Sequence, residues 1–195
     1  MNDINSICVY SASSPQVNDY YIESAKKLGL LFSEYQIELI YGAGKVGLMG
    51  AMADAVLEKG GKVTGVIPSF MIQQNWHHTK LTHLVEVDSM HERKQKMAAL
   101  SDGIVALPGG CGTLEELLEI ITWKQLGLYN KPIVIVNTNG FYDPLIEMLN
   151  RAIDEKFMRI EHKYLWSIAE HVDQVIDLLQ KTPIWNSSIG KFTTE

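Results

Sequence analysis

Leu107–Glu119 reads LPGGCGTLEELLE and joins two segments of different pattern. Before it, Gly103–Leu107 (GIVAL) is a short apolar run rich in β-branched residues, which is typical of a buried strand. After it, Leu114–Leu126 carries apolar residues at helical spacing. The stretch therefore predicts a strand, a glycine-rich turn and a helix, and this unit decides the fold class.

The glycine-rich turn also predicts a binding site. Pro108 ends strand pairing, while Gly109, Gly110 and Gly112 permit positive φ and a close approach of another group to the backbone. The loop then presents bare N–H groups beside the unpaired N–H groups and positive dipole end of the helix. These donors predict a site for a phosphate or another anion.

A purely structural interpretation of the same residues exists. Thr113-Leu114-Glu115-Glu116 matches a capping box, in which Thr113 caps the helix and Glu116 reaches back to the N-cap amide. Cys111 could be a reactive thiol at a helix N-terminus, but no histidine is close to it in sequence. We interpret Cys111 as a small loop residue.

Strand and helix patterns alternate along the whole chain. The predicted strands are Ser6–Tyr10, Ile37–Tyr41, Lys62–Ile67, Leu84–Val87, Gly103–Leu107, Lys131–Asn137 and Leu165–Ala169. Helices are predicted over Asn18–Tyr35, up to about Leu57, over Ser89–Leu100, from Thr113, over Asp143–Glu155 and over Val172–Gln180. This alternation predicts an α/β fold with a doubly wound, Rossmann-like parallel sheet. We expect a single domain over residues 1–180 and a loose tail over 181–195.

The small-residue loops that follow these strands should meet in one crevice, because ligands in such sheets bind at the carboxyl ends of the strands. One of them, Gly42-Ala43-Gly44-Lys45-Val46-Gly47, fits the dinucleotide fingerprint G-x-G-x-x-G. It follows the second strand, however, and the next strand ends at Ile67-Pro68-Ser69 without an acid for a ribose hydroxyl. A nucleotide phosphate or close helix packing explains Gly42 and Gly44 better than a redox cofactor.

Composition limits the classes of partner. The chain has 195 residues, a net charge of −6 and 46% hydrophobic residues, which suits a globular protein without a general nucleic-acid surface. The start, MNDINSICVYSASSP, lacks a signal-peptide pattern, and no run is long enough to span a membrane. We therefore expect a cytoplasmic location with no membrane partner. His77 and His78 show no metal-ligand spacing and are interpreted as loop polarity.

Ser89–Met97 places two basic residues, Arg93 and Lys94, near the start of a predicted helix, where the helix dipole disfavours them. An anionic ligand or a facing carboxylate would compensate for the two charges. The alternative is a solvated helical face, on which Glu92 pairs with Lys96.

Four segments together resemble the LOG (Lonely Guy) family, many members of which are labelled lysine decarboxylase. They are PGGCGTLEE at Pro108–Glu116, RK at Arg93 and Lys94, GAGKVGLMG at Gly42–Gly50, and TWKQLG at Thr122–Gly127. The likeness runs from about Ile7 to Leu179. It implies a nucleoside 5′-monophosphate phosphoribohydrolase, which splits AMP or a cytokinin riboside 5′-monophosphate into free base and ribose 5-phosphate.

The resemblance also implies roles for residues. Arg93 and Glu116 would be the catalytic pair, and the family is built from homodimers with active sites near the interface. No metal or cofactor is expected. The nucleotide site would hold Lys94, Thr122 and the loop from Gly109 through Gly110, Cys111, Gly112, Thr113 and Leu114 to Glu115, together with Gly42 and Gly44.

The chain departs from the family pattern at two positions. The family often has an Arg-Glu pair where this chain has Gln74-Asn75, so a ligand contact at Asn75 is altered. It usually has glycine where this chain has Ala12. We interpret both as shifts in substrate preference. Two other functions stay open: a nucleotide-binding module without turnover, and the decarboxylase of the family label, which would need pyridoxal phosphate on a lysine.

Overall fold

The computed structural model describes residues 2–186 and contains one parallel sheet of seven strands. The strands are β1 (Ser6–Tyr10), β2 (Glu38–Tyr41), β3 (Val63–Pro68), β4 (His83–Val87), β5 (Gly103–Ala106), β6 (Ile133–Val136) and β7 (Ser167–Ala169). Their order across the sheet is β4-β3-β2-β1-β5-β6-β7, and every pairing is parallel. The prediction of a doubly wound α/β fold is confirmed.

Helices connect the strands and cover the sheet. They are α1 (Asp19–Glu34), α2 (Gly47–Glu58), α3 (Ser69–Gln73), α4 (Met90–Leu100), α5 (Cys111–Gln125), α6 (Asp143–Asp154) and α7 (Val175–Lys181). Short 3-10 turns lie at Thr138–Gly140, Ile160–Tyr164 and Val172–Gln174. The short α3 falls in a region where the sequence shows little periodicity, and a helix of this length has too few turns to produce a clear apolar stripe.

The central strands are mostly apolar because both faces of the sheet are covered there, whereas the edge strand β4 contains His83 and Glu86 and is largely exposed. In β1, Ile7 and Val9 belong to one buried cluster, while Cys8 and Tyr10 belong to the other. This alternation follows from the two-residue period of a strand, which sends successive side chains to opposite faces. Each face therefore has its own hydrophobic core, and the sheet is held rigidly between them.

The strand order places a topological switch point at β1. From β1 the chain adds β2, β3 and β4 on one side, and α4 then returns it to β5 on the other side of β1. The loops that follow β1 and β5 diverge to opposite sides of the sheet at this point, which leaves a crevice at the carboxyl ends of the strands. The fold thus locates the candidate site.

The last described residues pack against the domain. Lys181 ends α7, and Trp185 is buried, with its backbone N–H donating to the Asn130 carbonyl over 3.0 Å. The remainder of the expected loose tail, residues 187–195, lies outside the described residues. Between residues 2 and 186, no helix has the length and apolar character needed to cross a membrane.

Candidate functional site

A cleft of about 620 Å³ opens at the carboxyl ends of the central strands. The loops that follow β1, β2 and β5, together with the first turns of α2 and α5, supply most of its walls, as the parallel sheet predicts. Side chains of α3, α4 and the segment after α3 complete it. The lining residues are Ser11, Ala12, Ser13, Ser14, Gly42, Gly44, Lys45, Val46, Met49, Ile67, Met71, Trp76, Met90, Arg93, Gly110, Gly112, Thr113, Glu115 and Glu116.

Backbone contacts hold the three loops together. The Ala12 N–H donates to the Pro108 carbonyl over 3.2 Å, and the Ala12 carbonyl accepts from the Met49 N–H over 3.3 Å. Gly47 has φ +64°, and a Cβ there would lie 2.6 Å from the Ser14 carbonyl oxygen. Only glycine allows this contact between the β1 and β2 loops. The crevice is therefore bounded by fixed backbone.

Gly42 has a different function from the one its fingerprint suggests. A Cβ on Gly42 would lie 1.7 Å from Nη2 of Arg93, so glycine makes room for the guanidinium. Arg93 is buried on α4, and its Nη2 donates to the Gly42 carbonyl over 2.9 Å while Nε donates to the Val66 carbonyl over 3.1 Å. These two bonds fix the orientation of the guanidinium and explain why the loop needs glycine without a dinucleotide.

Glu116 of α5 faces Arg93 of α4. Its carboxylate oxygen Oε1 lies 3.8 Å from Nη1 of Arg93, and its side chain is 12% exposed. Burial raises the pKa of the Glu116 carboxyl to about 7, and the Arg93 guanidinium opposes that rise. The cleft therefore contains a carboxyl group that changes its protonation near neutral pH, a property suited to general acid–base chemistry.

The alternative interpretation of Thr113 and Glu116 as a capping box is wrong. The N-cap of α5 is Gly110, which brings no capping side chain, and the helix already begins at Cys111. Thr113 instead lies inside the first turn, buried against Gly109, where a Cβ would be 2.1 Å from the Thr113 Oγ1. Because Glu116 has no amide to cap, its carboxylate is free to face the cleft.

A comparable capping arrangement occurs on α4. The Ser89 Oγ accepts from the Glu92 N–H over 3.1 Å, and the Glu92 carboxylate accepts from the Asp88 N–H over 2.9 Å. Glu92 is therefore engaged at the start of the helix, where its charge also suits the dipole.

The glycines of the PGGCG loop permit positive φ but do not adopt it. The N-cap Gly110 has φ −86°, and the positive-φ glycines among the described residues are Gly47, Gly60, Gly127 and Gly140. A Cβ at Gly110 or Gly112 would meet nothing within 4 Å. Both glycines line the cleft, so their missing side chains leave open space beside the N-terminus of α5.

Lys94 is buried, so the interpretation as a solvated helical face is wrong for both basic residues. Its Nζ donates to Glu115 over 2.5 Å and to Glu119 over 2.9 Å, both on α5. Burial alone would lower the pKa of the Lys94 ammonium, but these two hydrogen bonds outweigh it and the pKa is raised. Lys94 joins α4 to α5 and lies outside the cleft lining.

Besides Lys94, five residues expected at the site do not line the cleft: Gly109, Cys111, Leu114, Thr122 and Asn75. Gly109 packs against Thr113, and Leu114 packs against the core, while Cys111 is exposed on the first turn of α5. Thr122 is also exposed, and its Oγ1 donates to the Leu118 carbonyl over 2.8 Å.

Asn75 contributes its backbone to the neighbourhood of the cleft. It has φ +57°, in the left-handed region that asparagine tolerates, and its carbonyl accepts a hydrogen bond from Lys45 Nζ. The next residue, Trp76, lines the cleft. Asn75 therefore supports the cleft wall through its backbone, although it is not among the residues that line the cleft.

Sequence analysis missed an apolar wall. Met49, Ile67, Met71, Trp76 and Met90 line one part of the cleft. Met90 precedes Arg93 by about one helical turn, so the helical period puts both side chains on the same face, and Met90 could have been predicted at the site from Arg93. Met71 and Trp76 come from a segment without periodicity, and nothing in the sequence pattern indicated that it reaches the crevice.

Fold and cleft together define a doubly wound α/β protein with an anion-suited cleft at its topological switch point. A family model described as "Possible lysine decarboxylase" matches residues 49–179. The cytokinin riboside 5′-monophosphate phosphoribohydrolase LOG2 of Arabidopsis thaliana is 36% identical over 97% of this chain and 93% of its own length. A second relative, the cytokinin riboside 5′-monophosphate phosphoribohydrolase LOG of Oryza sativa subsp. japonica, is 43% identical over 78% of this chain and 63% of its own length. The chain belongs to the LOG family.

Solved structures with the same fold are more distant in sequence. A molybdenum cofactor carrier protein from Chlamydomonas reinhardtii matches with a TM-score of 0.69 and 20% identity, over 91% of this chain and 97% of that one. A molybdenum cofactor binding protein from Rippkaea orientalis has the same TM-score and identity, over 90% and 95% of the two chains. At this identity the likeness concerns the fold alone.

Proposed function

We propose that the protein hydrolyses the N-glycosidic bond of a purine nucleoside 5′-monophosphate, either AMP or a cytokinin riboside 5′-monophosphate, releasing the base and ribose 5-phosphate. The observation that carries this proposal is the buried Arg93–Glu116 pair beside the uncapped N-terminus of α5. The printed activity of the LOG relatives supports it. A site that only captured phosphate would not place a carboxylate next to the anion.

The phosphate is proposed to bind at the N-terminus of α5. This helix spans 15 residues, so its dipole favours an anion at the first turn. Gly110 supplies no capping side chain, and Gly110 and Gly112 leave open space in the cleft. Phosphate binding there is remote from the bond to be broken, so its binding energy can hold the sugar in a reactive position.

Glu116 is proposed to act as a carboxylate. Cleavage of a glycosidic bond develops positive charge on the sugar, and a carboxylate beside the sugar stabilises that charge or orients the attacking water. With a pKa of about 7, about half of the Glu116 carboxyl groups are ionised at neutral pH, although the group is largely buried. A buried carboxylate is also worth more electrostatically than one in water.

Arg93 is proposed to position this carboxylate and to offer donors to the nucleotide. Two of its nitrogens are held by the carbonyls of Gly42 and Val66, which leaves Nη1 directed toward Glu116. Its positive charge opposes the effect of burial on the pKa of Glu116, so it maintains the ionised form. Arg93 thus supports the reactive state of its partner.

The apolar wall suits a purine base. Met71, Trp76 and Met90 supply a flat ring and adaptable thioethers, which contact aromatic rings favourably. Such a wall accepts plain adenine and also tolerates an apolar substituent on it. The choice between AMP and a prenylated nucleotide is therefore a matter for direct comparison of substrates.

The decarboxylase suggested by the family description does not fit the lysines of the cleft. Lys45 lines the cleft, but its Nζ donates to the Asn75 carbonyl. Burial lowers the pKa of the Lys124 ammonium to about 8, as a Schiff-base lysine requires, yet Lys124 is fully buried and is not among the lining residues.

A homodimer is part of the proposal. Three leucines on α5 and the turn after it are exposed, Leu118 by 40%, Leu126 by 59% and Leu128 by 73%. We propose that these three leucines form one interaction surface, because exposed apolar side chains that lie together mark such surfaces. Because α5 also carries Glu116, a second copy bound there would lie near the cleft.

The test is chromatography of reaction products. The purified protein is incubated with AMP, with N6-prenylated AMP, with the corresponding nucleosides and with lysine. The proposal predicts free base and ribose 5-phosphate in equal amounts from the monophosphates and no base from the nucleosides. Release of carbon dioxide from lysine, or base from nucleosides at the same rate, would contradict it.

A further inference from the structure

A short segment, residues 74–78, crosses the outer edge of the cleft between α3 and β4, and we call it the strap. It carries Trp76 into the cleft wall. Trp76 is 53% exposed, so its ring is not held by burial in the core. The position of the ring must therefore depend on how the strap backbone is attached to the rest of the molecule.

Backbone contacts attach the strap to the β2 loop. Gly44 and His77 form an antiparallel bridge, and the His78 N–H donates to the Ala43 carbonyl over 2.8 Å. Ala43 has φ +60°, a conformation that an alanine adopts only when its surroundings impose it. The same loop carries Gly42, whose carbonyl holds Arg93. The strap and the guanidinium are thus attached to one piece of backbone.

A side-chain pair braces the strap from the side of α2. His78 is 8% exposed, and its Nε2 lies 3.0 Å from Oδ1 of Asp54 on α2. The other ring nitrogen, Nδ1, accepts from the Lys80 N–H over 3.1 Å. Since Nδ1 is an acceptor, the hydrogen lies on Nε2, which donates to the Asp54 carboxylate. His78 lies in a loop, as expected, but it is buried and hydrogen-bonded at both ring nitrogens.

We infer that Asp54 and His78 are positioning residues: their hydrogen bond fixes the strap and so sets the Trp76 ring against the base of the bound nucleotide. Neither side chain is among the residues that line the cleft, so each acts through Trp76. The identity of the base-bearing ligand rests on the proposed function. The attachment of the strap does not, and it can be tested without a ligand.

If the Asp54–His78 pair instead stabilised the whole fold, its loss would destabilise the sheet and both of its cores. The Asp54 side chain is 54% exposed, and ion pairs with an exposed partner contribute little to global stability. Loss of the pair should therefore loosen the strap while the sheet and its two cores keep their stability. A local effect on the strap and a global effect on folding are separable by measurement.

The first test is hydrogen exchange of the backbone amides without ligand. The variants are Asp54→Ala and His78→Ala, and the control is Glu58→Ala, which removes an exposed charge from the same helix. We expect the amide of residue 78, bonded to Ala43, to lose protection by about tenfold in both variants while core amides are unchanged. Unchanged protection at residue 78, or equal loss throughout the sheet, would overturn the inference.

The second test separates KM from kcat with AMP as the substrate. We expect Asp54→Ala to raise KM by about tenfold and to leave kcat within about twofold, because the strap acts on base binding rather than on Glu116. Asp54→Asn keeps an oxygen that accepts from Nε2, so its KM should return toward the wild-type value. An equal fall in kcat, or no recovery in Asp54→Asn, would overturn the inference.

A double-mutant cycle shows whether the pair acts through the ring. In a Trp76→Ala background, Asp54→Ala should have no further effect on KM, since the group that it positions is absent. Additive effects would overturn the inference. If the wild-type protein releases no base from AMP or from N6-prenylated AMP, the proposed function fails, and the exchange measurement still decides whether Asp54 and His78 fix the strap.

Discussion

Glu116 shows how burial and charge together set the chemistry of one residue. The usual pKa of 4.5 rises to about 7 because the carboxyl is buried, and the neighbouring Arg93 limits the rise. The difference corresponds to about 3 kcal/mol in favour of the protonated form. Burial therefore disfavours the ionised form of Glu116, and the same burial makes the carboxylate more reactive once it has formed.

The pH dependence of the rate should report this residue. If the ionised form of Glu116 is required, kcat/KM for AMP falls as the pH drops below about 7. The substrate phosphate also titrates near this range, so Glu115→Gln is the control. The Glu115 charge raises the pKa of Glu116, and its removal should move the transition to lower pH. A transition that does not move would assign the titration to the substrate instead.

Stability should change with pH in the opposite sense. A carboxyl with a raised pKa stabilises the fold below its unfolded value of 4.5 and loses that contribution as the pH rises through about 7. Glu116→Gln cannot ionise, so its Tm should exceed that of the wild type by about 5 °C or more at pH near 8 and match it near pH 5.

Thermal melts at the two pH values check this expectation. Glu23→Gln removes an exposed carboxylate with a side chain that is 67% accessible, and it should show no such pH-dependent difference. A Glu116→Gln protein that melts below the wild type at both pH values would show that the ionised carboxylate stabilises the fold.

At the scale of elements, the start of α5 combines two functions in one glycine loop. Gly109 gives space to Thr113, whereas Gly110 and Gly112 give space to the cleft. Alanine at Gly109 would overlap Thr113 and should destabilise the protein by about 1–3 kcal/mol. Alanine at Gly110 or Gly112 meets no protein atom within 4 Å, so stability should be kept while the KM for AMP rises by about tenfold or more.

Melting curves and kinetics on the three alanine variants separate these functions. Wild-type KM in both Gly110→Ala and Gly112→Ala would place the phosphate away from this loop. Equal destabilisation in all three variants would show that the glycines serve only the turn.

The elements were largely predictable from the sequence, and the contacts between them were not. The strand β1 was predicted at its observed bounds because a short apolar run between turn residues has few alternatives. The capping box was assigned wrongly because Thr113 and Glu116 match a local pattern, while the N-cap Gly110 has no side chain to mark it. Local patterns identify helices well and their first residues poorly.

The site was predictable where one segment carried the signal. The glycine loop, Arg93 and Glu116 were all identified from the sequence. Of the loop residues from Gly109 to Thr113, three line the cleft, namely Gly110, Gly112 and Thr113, whereas Gly109 and Cys111 do not. The burial of Lys94 was not predicted, because its partners Glu115 and Glu119 lie on another helix. Trp76 was missed for the same reason: only the tertiary fold brings the strap to the crevice.

For the whole molecule, the doubly wound sheet brings β1, β2 and β5 side by side and so assembles one cleft from segments far apart in the chain. Within residues 2–186, no group of three or more His, Cys, Asp or Glu side chains could hold a metal ion. The proposed chemistry depends on the Arg93–Glu116 ion pair and on backbone N–H donors at the start of α5, which this architecture places at the topological switch point.

The proposed homodimer is testable at the same scale. Light scattering should give about twice the chain mass of 21.9 kDa for the wild type. Leu128→Glu places a charge at the most exposed leucine of the row and should give a monomer, since a buried unpaired charge opposes association. Met148→Glu, at a 64% exposed position on α6, should keep the dimer. A monomeric wild type, or dissociation by Met148→Glu alone, would contradict the proposed interface.

We propose that the Arg93–Glu116 pair cleaves the bond between base and sugar, and this is tested by measuring nucleotide binding and base release on the same proteins. AMP and N6-prenylated AMP are supplied to the wild type, Arg93→Ala and Glu116→Gln, with affinity measured by calorimetry and free base by chromatography. If the proposal holds, we expect base and ribose 5-phosphate in equal amounts from the wild type. Glu116→Gln should bind the nucleotide with similar affinity but release base at least about a hundredfold more slowly. Tight nucleotide binding by the wild type with no released base, or a wild-type rate in Glu116→Gln, would contradict it.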